Sequence, residues 1–174
     1  VHRITSVGPD TVAVELATPA VFDASPGQFV KLLFEIDGET VGRFYTISSS
    51  VITERFELTI GFDPEAGGAV TERLQALDEG APLTFEGPFG NSTYEGASEV
   101  LILAGGPGVG PAVAIAELAL AGGAEVGVVY QTADPAHRER LDALAEAGAA
   151  VWIDAAPLSE GIATVSPWPR TAQL

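Results

Sequence analysis

The sequence predicts a β + α/β fold: an antiparallel β-barrel or sandwich followed by a partial parallel-sheet, Rossmann-like α/β domain. Up to residue 97, short segments that alternate apolar and polar residues are separated by turn residues, as in antiparallel β-domains. From residue 98 onward, continuous apolar runs alternate with helical patterns, which indicates parallel strands joined by helices. We therefore assign residues 1–97 and 98–174 to two domains, with the boundary between Tyr94 and Glu99.

The N-terminal domain is predicted to contain several short strands and one helix. Turn residues such as Pro26-Gly27 and Asp37-Gly38 separate the strands. The helix is predicted where Val70, Leu74 and Leu77 fall on one helical face. The predicted strands cover residues 11–16, 28–36, 44–47, 55–60 and 83–86.

The second domain is predicted to follow a β-α-β-α-β order. Strands are expected at 100–104, 125–130 and 149–153, and helices at 112–121 and 135–147. The run 100–104 is apolar throughout, which predicts a strand buried on both faces. Residues 155–174 contain three prolines and show no clear periodicity after Val165. The sheet predicted here is only partial, and its parallel edge strand is expected to be exposed.

The composition excludes several kinds of chemistry. The chain has no cysteine, which excludes disulfides, thiolate metal sites, iron–sulfur clusters and Cys nucleophiles. With only two histidines, His2 and His137, a His-rich metal site is not expected, and we predict no metal. Any redox chemistry must therefore come from a bound organic cofactor.

The charge balance indicates which partners to exclude. The chain has 24 acidic and 8 basic residues, a formal net charge of −16, so its surface repels nucleic acid and anionic membranes. Lys31 is the only lysine. This composition favours a halophilic protein from a high-salt cytoplasm, which is expected to lose structure on dialysis into low salt; an ordinary acidic cytosolic protein is the alternative. With no signal peptide and no membrane-length apolar run, a soluble cytoplasmic location is expected.

Residues 43–46 have side chains that suit a flavin, and residues 67–71 have backbone N–H groups that suit its phosphates. Arg43 offers a planar fork of donors that suits a phosphate. Tyr45 lies two positions further along a strand, so it shares the face of Arg43 and can stack on a planar ring. Thr46 adds a small donor and acceptor beside Tyr45. The glycine turn at 67–68 enters a helix, where free backbone N–H groups face an anion.

Five short motifs, in the same order along the chain, resemble those of the ferredoxin–NADP reductase superfamily. That family pairs a flavin-binding barrel with a nucleotide-binding domain. The resemblance covers about residues 5–153 and implies an N-terminal antiparallel Greek-key β-barrel that holds the flavin. The matching motifs are P-G-Q-F at 26–29, R-x-Y-[ST] at 43–46, G-x-x-[ST] at 68–71, G-P-x-G at 87–90 and A-G-G-x-G-x-x-P at 104–111.

The resemblance implies roles for individual residues. Arg43 binds the flavin phosphate, Tyr45 stacks on the isoalloxazine, and Thr46 lies near the ring nitrogen that accepts hydride. Tyr45 and Thr46 are thus the candidate catalytic residues, and the family implies FAD rather than FMN. The other candidate cofactor-binding residues are Phe44 in the same motif, Gly67, Gly68, Val70 and Thr71 at the pyrophosphate, and Gly106, Gly108, Gly110 and Pro111 at the nicotinamide dinucleotide.

The implied function is an enzyme that passes electrons from NAD(P)H through FAD to a one-electron acceptor, such as a ferredoxin or another subunit. No acid stands at the tip of the second predicted strand of the α/β domain, where residues 131–133 follow Tyr130. Asp134 lies just beyond, within reach of a ribose hydroxyl, and its carboxylate disfavours a 2′-phosphate, so NADH is preferred to NADPH. Arg138 and Arg140 favour NADPH only if they point inward, and on an amphipathic helix they are expected to be solvated.

The second domain is shorter than the resemblance implies. Three accounts stay open: a naturally short chain, an incomplete or altered sequence, and a partner subunit that covers the sheet edge. Two alternatives to the enzyme also remain. One is a flavin-binding electron-relay or redox-sensing module that does not itself bind NAD(P)H. The other is the same fold with no cofactor.

Overall fold

A computed structural model describes residues 1–63 and 67–154. In the N-terminal part, six strands form two antiparallel sheets, with the orders β1-β2-β5 and β4-β3-β6. The strands are β1 (Arg3–Gly8), β2 (Thr11–Ala17), β3 (Phe29–Ile36), β4 (Glu39–Thr46), β5 (Arg55–Gly61) and β6 (Thr84–Phe89), and the helix α1 spans Ala69–Gln75.

The two antiparallel sheets enclose one apolar core. In β3, Val30, Leu32 and Phe34 are buried while the residues between them are more exposed, as expected of a strand with one inward face. A single bridge between Ile47 and Leu58 links the two sheets. The barrel is therefore two packed sheets joined at one place; among the described residues, its hydrogen bonding is not continuous around the circumference.

The α/β part follows the predicted order. Strands β7 (Glu99–Gly105), β8 (Glu125–Gln131) and β9 (Ala150–Asp154) form a parallel sheet in the order β7-β8-β9. Helix α2 (Val109–Ala121) joins the first two strands and α3 (Arg138–Glu146) joins the last two. The predicted β + α/β fold is confirmed, with element bounds that agree to within a few residues.

One prediction about β7 is wrong. The strand is not buried on both faces, because the side chains of Leu101 and Leu103 are 39% and 46% exposed. Ile102 and Ala104, on the other face, belong to the core that packs against the two helices. Each new strand is added at the same edge of the sheet, in the order β7-β8-β9. Because both crossovers are right-handed, both helices then lie on the same side of the sheet, so α2 and α3 cover only one face.

The sequence also gave no indication of β1, which pairs with β2 along one edge of the first sheet. Residues of β1 such as Thr5 and Ser6 are exposed polar residues, so the strand lacks the apolar alternation that predicts the others. The prediction of an irregular segment after residue 155 lies outside the described residues.

The two parts of the chain are in close contact. Three glycines of the junction leave no room for a side chain: a methyl group on Gly8, Gly61 or Gly110 would lie 2.8 Å from Ala136, 3.0 Å from Pro107 or 2.0 Å from Thr59, respectively. The backbone N–H of His137 also donates to the carbonyl of Val7 at 2.7 Å. The antiparallel and α/β parts thus pack directly against each other, with glycine backbone at the contacts.

Candidate functional site

Arg43 and Tyr45 lie together in one pocket with the glycine turn before α1. The pocket has a volume of about 300 Å³. Arg43 and Tyr45 share a face of β4 because they pair with Leu32 and Val30, which are two residues apart on β3. β4 is the edge strand of its sheet, so this face opens beyond the core. The pocket is lined by Ile36, Val41, Arg43, Tyr45, Gly67, Gly68, Ala69, Val70 and Thr71.

The turn before α1 leaves space that a ligand can fill. A methyl group placed on Gly67 or Gly68 would meet no atom within 4 Å. Gly68 has φ 149°, a conformation that favours glycine, and provides no side-chain cap for the first turn of α1. The backbone here is therefore accessible from the pocket, as close approach of a pyrophosphate requires.

The charges in this pocket suit an anionic, planar ligand. The guanidinium of Arg43 donates one hydrogen bond, to the carbonyl of Gly42 at 2.9 Å, and no carboxylate of the described residues forms an ion pair with it. Burial raises the pKa of Tyr45, and the nearby charge of Arg43 partly opposes that shift. The phenol therefore stays neutral at physiological pH, and most donors of the guanidinium remain available.

Phe44 and Thr46 lie on the opposite face of β4. They line a second pocket of about 580 Å³ together with Phe29 and Phe89. Phe44 is 63% exposed and its ring meets that of Phe29 edge-on, with centroids 5.5 Å apart. Thr46 is thus adjacent to Tyr45 along the chain without sharing its face, and a ligand that contacted Tyr45 would reach Thr46 only around the end of the strand.

The glycine loop after β7 divides into an exposed and a buried part. Gly106 and Gly108 are exposed, and the hydroxyl of Tyr130 donates to the carbonyl of Gly106 at 3.2 Å. Gly110 is instead buried in α2, where it packs against Thr59. Pro111 follows it in the helix and is half-buried. Only the exposed part of the loop is open to a ligand at the carboxyl end of the sheet.

Asp134 and Arg138, which follow β8, are exposed. Asp134 lies in a turn in which its N–H donates to the hydroxyl of Thr132 at 3.2 Å. Arg138 is 58% exposed and pairs with Asp142 one turn further along α3. The expectation of a solvated arginine is correct for Arg138 and wrong for Arg140, which turns toward the antiparallel domain.

Arg140 is the centre of a polar cluster that the sequence did not reveal. Its guanidinium donates two hydrogen bonds to Glu117 of α2, at 2.8 and 2.9 Å, and one to Glu57 of β5 at 3.2 Å. It also donates to the carbonyl of Ser48 at 2.9 Å. One side chain of α3 thereby joins α2, β5 and the segment that follows β4.

The serines at 48–50 complete this cluster. The hydroxyl of Ser48 donates to Glu57 at 3.1 Å, and that of Ser50 donates to Glu117 at 2.5 Å. Burial raises the pKa of Glu57 despite the opposing charge of Arg140. Burial acts in the same direction on Glu117, but hydrogen bonds from Arg140 and Ser50 outweigh it, so the pKa of Glu117 is lowered.

One feature of the sequence does point to the cluster. Glu117 is the only charged residue in α2, which is otherwise apolar along its whole length. A carboxylate in such a helix requires a partner wherever the helix is covered on all sides. Glu57, on a strand of the other domain, had no comparable signal.

His137 lies beside the cluster and is 4% exposed. Its Nε2 and the hydroxyl of Thr59 are 2.7 Å apart. Burial and the nearby charge of Arg140 lower the pKa of His137 to about 4, against an opposing effect of Glu117. The imidazole is therefore neutral at physiological pH and forms part of the packed junction.

The depressed pKa of His137 predicts loss of stability in acid. The unfolded chain takes up a proton near pH 6.5 and the folded chain only near pH 4, so stability falls as pH decreases through this window. A shift of this size is worth at most about 3 kcal/mol. Urea unfolding of the wild type and His137→Asn at pH 7 and pH 4.5 checks this, since Asn tolerates the left-handed backbone, φ 54°, of this position. Equal pH slopes for the two proteins would contradict it.

The described residues contain neither a metal-binding cluster nor a helix that could span a membrane. Across residues 1–63 and 67–154, no group of three or more His, Asp or Glu side chains is arranged to hold a metal ion. Within the same residues, no helix is both long and apolar enough to cross a bilayer.

Solved structures share this two-part architecture. The Amycolatopsis cytochrome P450 reductase GcoB has a TM-score of 0.79 at 21% identity, over 95% of this chain and 56% of that chain. The flavohem-like FAD/NAD binding domain of nitric oxide dioxygenase from Vibrio cholerae O1 biovar El Tor has a TM-score of 0.73 at 18% identity, over 88% and 70% of the two chains. The chain therefore shares its fold with these two structures.

The sequence assigns the family. Residues 1–94 match the sequence profile of the oxidoreductase FAD-binding domain, and the chain belongs to that family. The resemblance to ferredoxin–NADP reductases is thereby confirmed, and FAD is the cofactor that the family implies. The open turn at Gly67 and Gly68 and the available donors of Arg43 fit the pyrophosphate of that cofactor.

Several relatives carry more specific names. The glycine betaine monooxygenase reductase subunit of Pseudomonas aeruginosa (strain UCBPP-PA14) is 42% identical over 116 residues, 64% of this chain and 31% of the relative. Ferredoxin–NADP reductase B of Sorangium cellulosum (strain So ce56) is 32% identical over 143 residues, 77% and 57% of the two chains. This chain thus spans about a third of the first relative and somewhat over half of the second.

Proposed function

We propose that this chain binds FAD and passes electrons from NAD(P)H to a one-electron acceptor. The observation that carries the proposal is the pocket in which Arg43, Tyr45 and the Gly67–Gly68 turn come together. The turn lies more than twenty residues beyond Arg43 and Tyr45 in the sequence, and the pocket brings phosphate-binding groups and an aromatic ring together. A flavin supplies the redox chemistry, since it takes up hydride and releases electrons singly, and the protein supplies orientation and electrostatics.

The proposed roles of the residues follow from their positions. Arg43 holds the phosphate groups through its fork of donors, together with backbone N–H groups at Ala69, Val70 and Thr71. Tyr45 stacks on the isoalloxazine and keeps its phenol neutral, because burial raises its pKa. Thr46, at the end of β4, places its hydroxyl near the edge of the ring. Tyr45 and Thr46 are the residues that we assign to the reacting part of the cofactor.

We propose that the nicotinamide dinucleotide binds at the carboxyl end of the parallel sheet. Gly106 and Gly108 are exposed there and leave the backbone accessible. Asp134 follows β8 at the same end of the sheet, which favours NADH over NADPH. Since Arg140 is held by Glu57 and Glu117, it is not available to a 2′-phosphate. Gly110 is better explained by packing than by ligand contact.

The electron acceptor is proposed to be another protein. The relatives include the reductase subunit of a monooxygenase and a ferredoxin–NADP reductase, whose names specify an oxygenase component and a ferredoxin. A one-electron acceptor of either kind fits a flavin that releases electrons singly. The acidic surface excludes nucleic acid and anionic membranes as partners on electrostatic grounds. A location in the cytoplasm remains our expectation.

Reduction of the bound flavin tests the proposal. The chain, loaded with FAD, is expected to show flavin absorbance that bleaches when NADH is added without oxygen, and NADPH should act more slowly. Dithionite serves as the control, because it reduces any accessible flavin. Bleaching by dithionite alone would instead support the relay or sensing module. Failure to take up FAD at all would contradict both forms of the proposal.

A further inference from the structure

We propose that Arg140 is a positioning residue for electron transfer between the two halves of the site. This inference rests on the proposed function. Arg140 belongs to the α/β domain but donates to the main chain of Ser48, two residues beyond Thr46. It therefore fixes where the end of the flavin-binding strand lies relative to the nicotinamide side, without itself touching either ligand.

The segment between β4 and β5 is held from both domains. On the antiparallel side, the N–H of Ser48 donates to the carbonyl of Glu57 at 2.8 Å, and the N–H of Glu57 donates to the hydroxyl of Ser49 at 3.0 Å. On the α/β side, Arg140 and Glu117 bind Ser48 and Ser50. Ser48 is completely buried, so it has no water to replace these contacts.

Ser48 also touches the helix that begins after the glycine loop. A methyl group on Gly110 would lie 3.0 Å from Cβ of Ser48, so the side chain of Ser48 lies close to the backbone of Gly110. Thr46 lies two residues before Ser48, and Gly108 lies two residues before Gly110. The Arg140 cluster thus holds the segment that follows the proposed flavin strand, where that segment lies against the helix that follows the proposed nicotinamide loop.

The pocket that contains Arg43 and Tyr45 is lined by none of these residues. Loss of Arg140 is therefore expected to leave FAD binding intact and to change the approach of the nicotinamide to the ring. Hydride transfer is sensitive to such changes, because a displacement of about 1 Å far from the reacting atoms can cost on the order of a hundredfold in rate.

The test compares Arg140→Gln and Arg140→Lys with Arg138→Gln, a change in the same helical turn at an exposed arginine. For each FAD-loaded chain, FAD affinity is measured by fluorescence and the limiting rate of flavin reduction by NADH in a stopped-flow spectrometer. Arg140→Gln is expected to slow reduction roughly tenfold to a hundredfold while changing FAD affinity less than about twofold. Arg140→Lys, which keeps the charge, should recover part of the rate, and Arg138→Gln should match the wild type.

In these measurements, reduction of Arg140→Gln at the wild-type rate would overturn the inference, and so would equal losses of rate and FAD affinity. Hydrogen exchange of the amides at 47–50 gives a readout that does not depend on NADH. Exchange there is expected to accelerate in Arg140→Gln and not in Arg138→Gln, and equal exchange also overturns the inference. If the wild type binds FAD but neither NADH nor NADPH reduces it, the proposed function fails, and exchange alone then decides whether Arg140 holds this segment.

Discussion

Arg43→Ala is expected to weaken FAD binding about ten- to a hundredfold. A hydrogen bond to a charged group is worth roughly 1.5–3 kcal/mol, and that loss corresponds to this range of affinities. The loss is not offset by relief of an ion pair, since the guanidinium has no carboxylate partner among the described residues. Titration of the apoprotein with FAD, followed by flavin fluorescence, measures the change.

Riboflavin and a second arginine variant separate phosphate binding from other effects. Riboflavin has no phosphate, so Arg43→Ala should leave its affinity nearly unchanged. Arg55→Ala is the matched control, because Arg55 is also an exposed strand arginine, 55% accessible, but lies on β5 outside the pocket. If Arg43→Ala weakened riboflavin and FAD equally, Arg43 would be acting on the ring or on the fold, and its assignment to the phosphate would be wrong.

Most of the fold could be predicted from local pattern. Strands such as β2 and β5 alternate apolar and polar residues, and α3 places Leu141 and Leu144 on one face, so each element follows from its own residues. The pairing of Arg43 with Tyr45 in one pocket could also be predicted. Two residues on one strand separated by one position share a face whatever the tertiary structure is.

Other features depend on how elements pack, which no local pattern contains. Leu101 and Leu103 belong to an apolar run that is indistinguishable from a fully buried strand, yet no described helix covers them. The cluster at Arg140 joins residues more than eighty positions apart. Apart from Glu117, the lone charge of an apolar helix, its members look like ordinary surface residues until the strand and helices that present them are brought together.

The position of Thr46 illustrates the same limit within one motif. The sequence places it beside Tyr45, and the structure places it on the other face of the strand, with Phe44. A ligand that contacted both Tyr45 and Thr46 would therefore have to pass around the end of the strand, because the two side chains do not share a face. Whether Thr46 meets the ring depends on the segment that follows it, which is the segment that Arg140 and Glu117 hold.

Gly110→Ala is expected to destabilise the fold by about 1–3 kcal/mol, the usual cost of an extra methyl group in a packed interior. The new methyl would lie 2.0 Å from Oγ1 and 2.5 Å from Cβ of Thr59. Thr59 cannot rotate away freely, because it is β-branched and its hydroxyl is 2.7 Å from His137. Alanine has the higher helix propensity, by up to about 1 kcal/mol, so the steric cost has to exceed that gain.

Gly108→Ala is the matched control in the same loop, since a methyl group there would meet no atom within 4 Å. Its stability is expected to stay within about 0.5 kcal/mol of the wild type in urea unfolding. Because the clash at Gly110 lies between α2 and β5, Gly110→Ala should also speed hydrogen exchange at 47–50 while Gly108→Ala does not. A Gly110→Ala protein as stable as the wild type would mean that the two domains can separate by the width of a methyl group at little cost. The distance between flavin and nicotinamide would then not be set by this junction, and the positioning role of Arg140 would lose its structural basis.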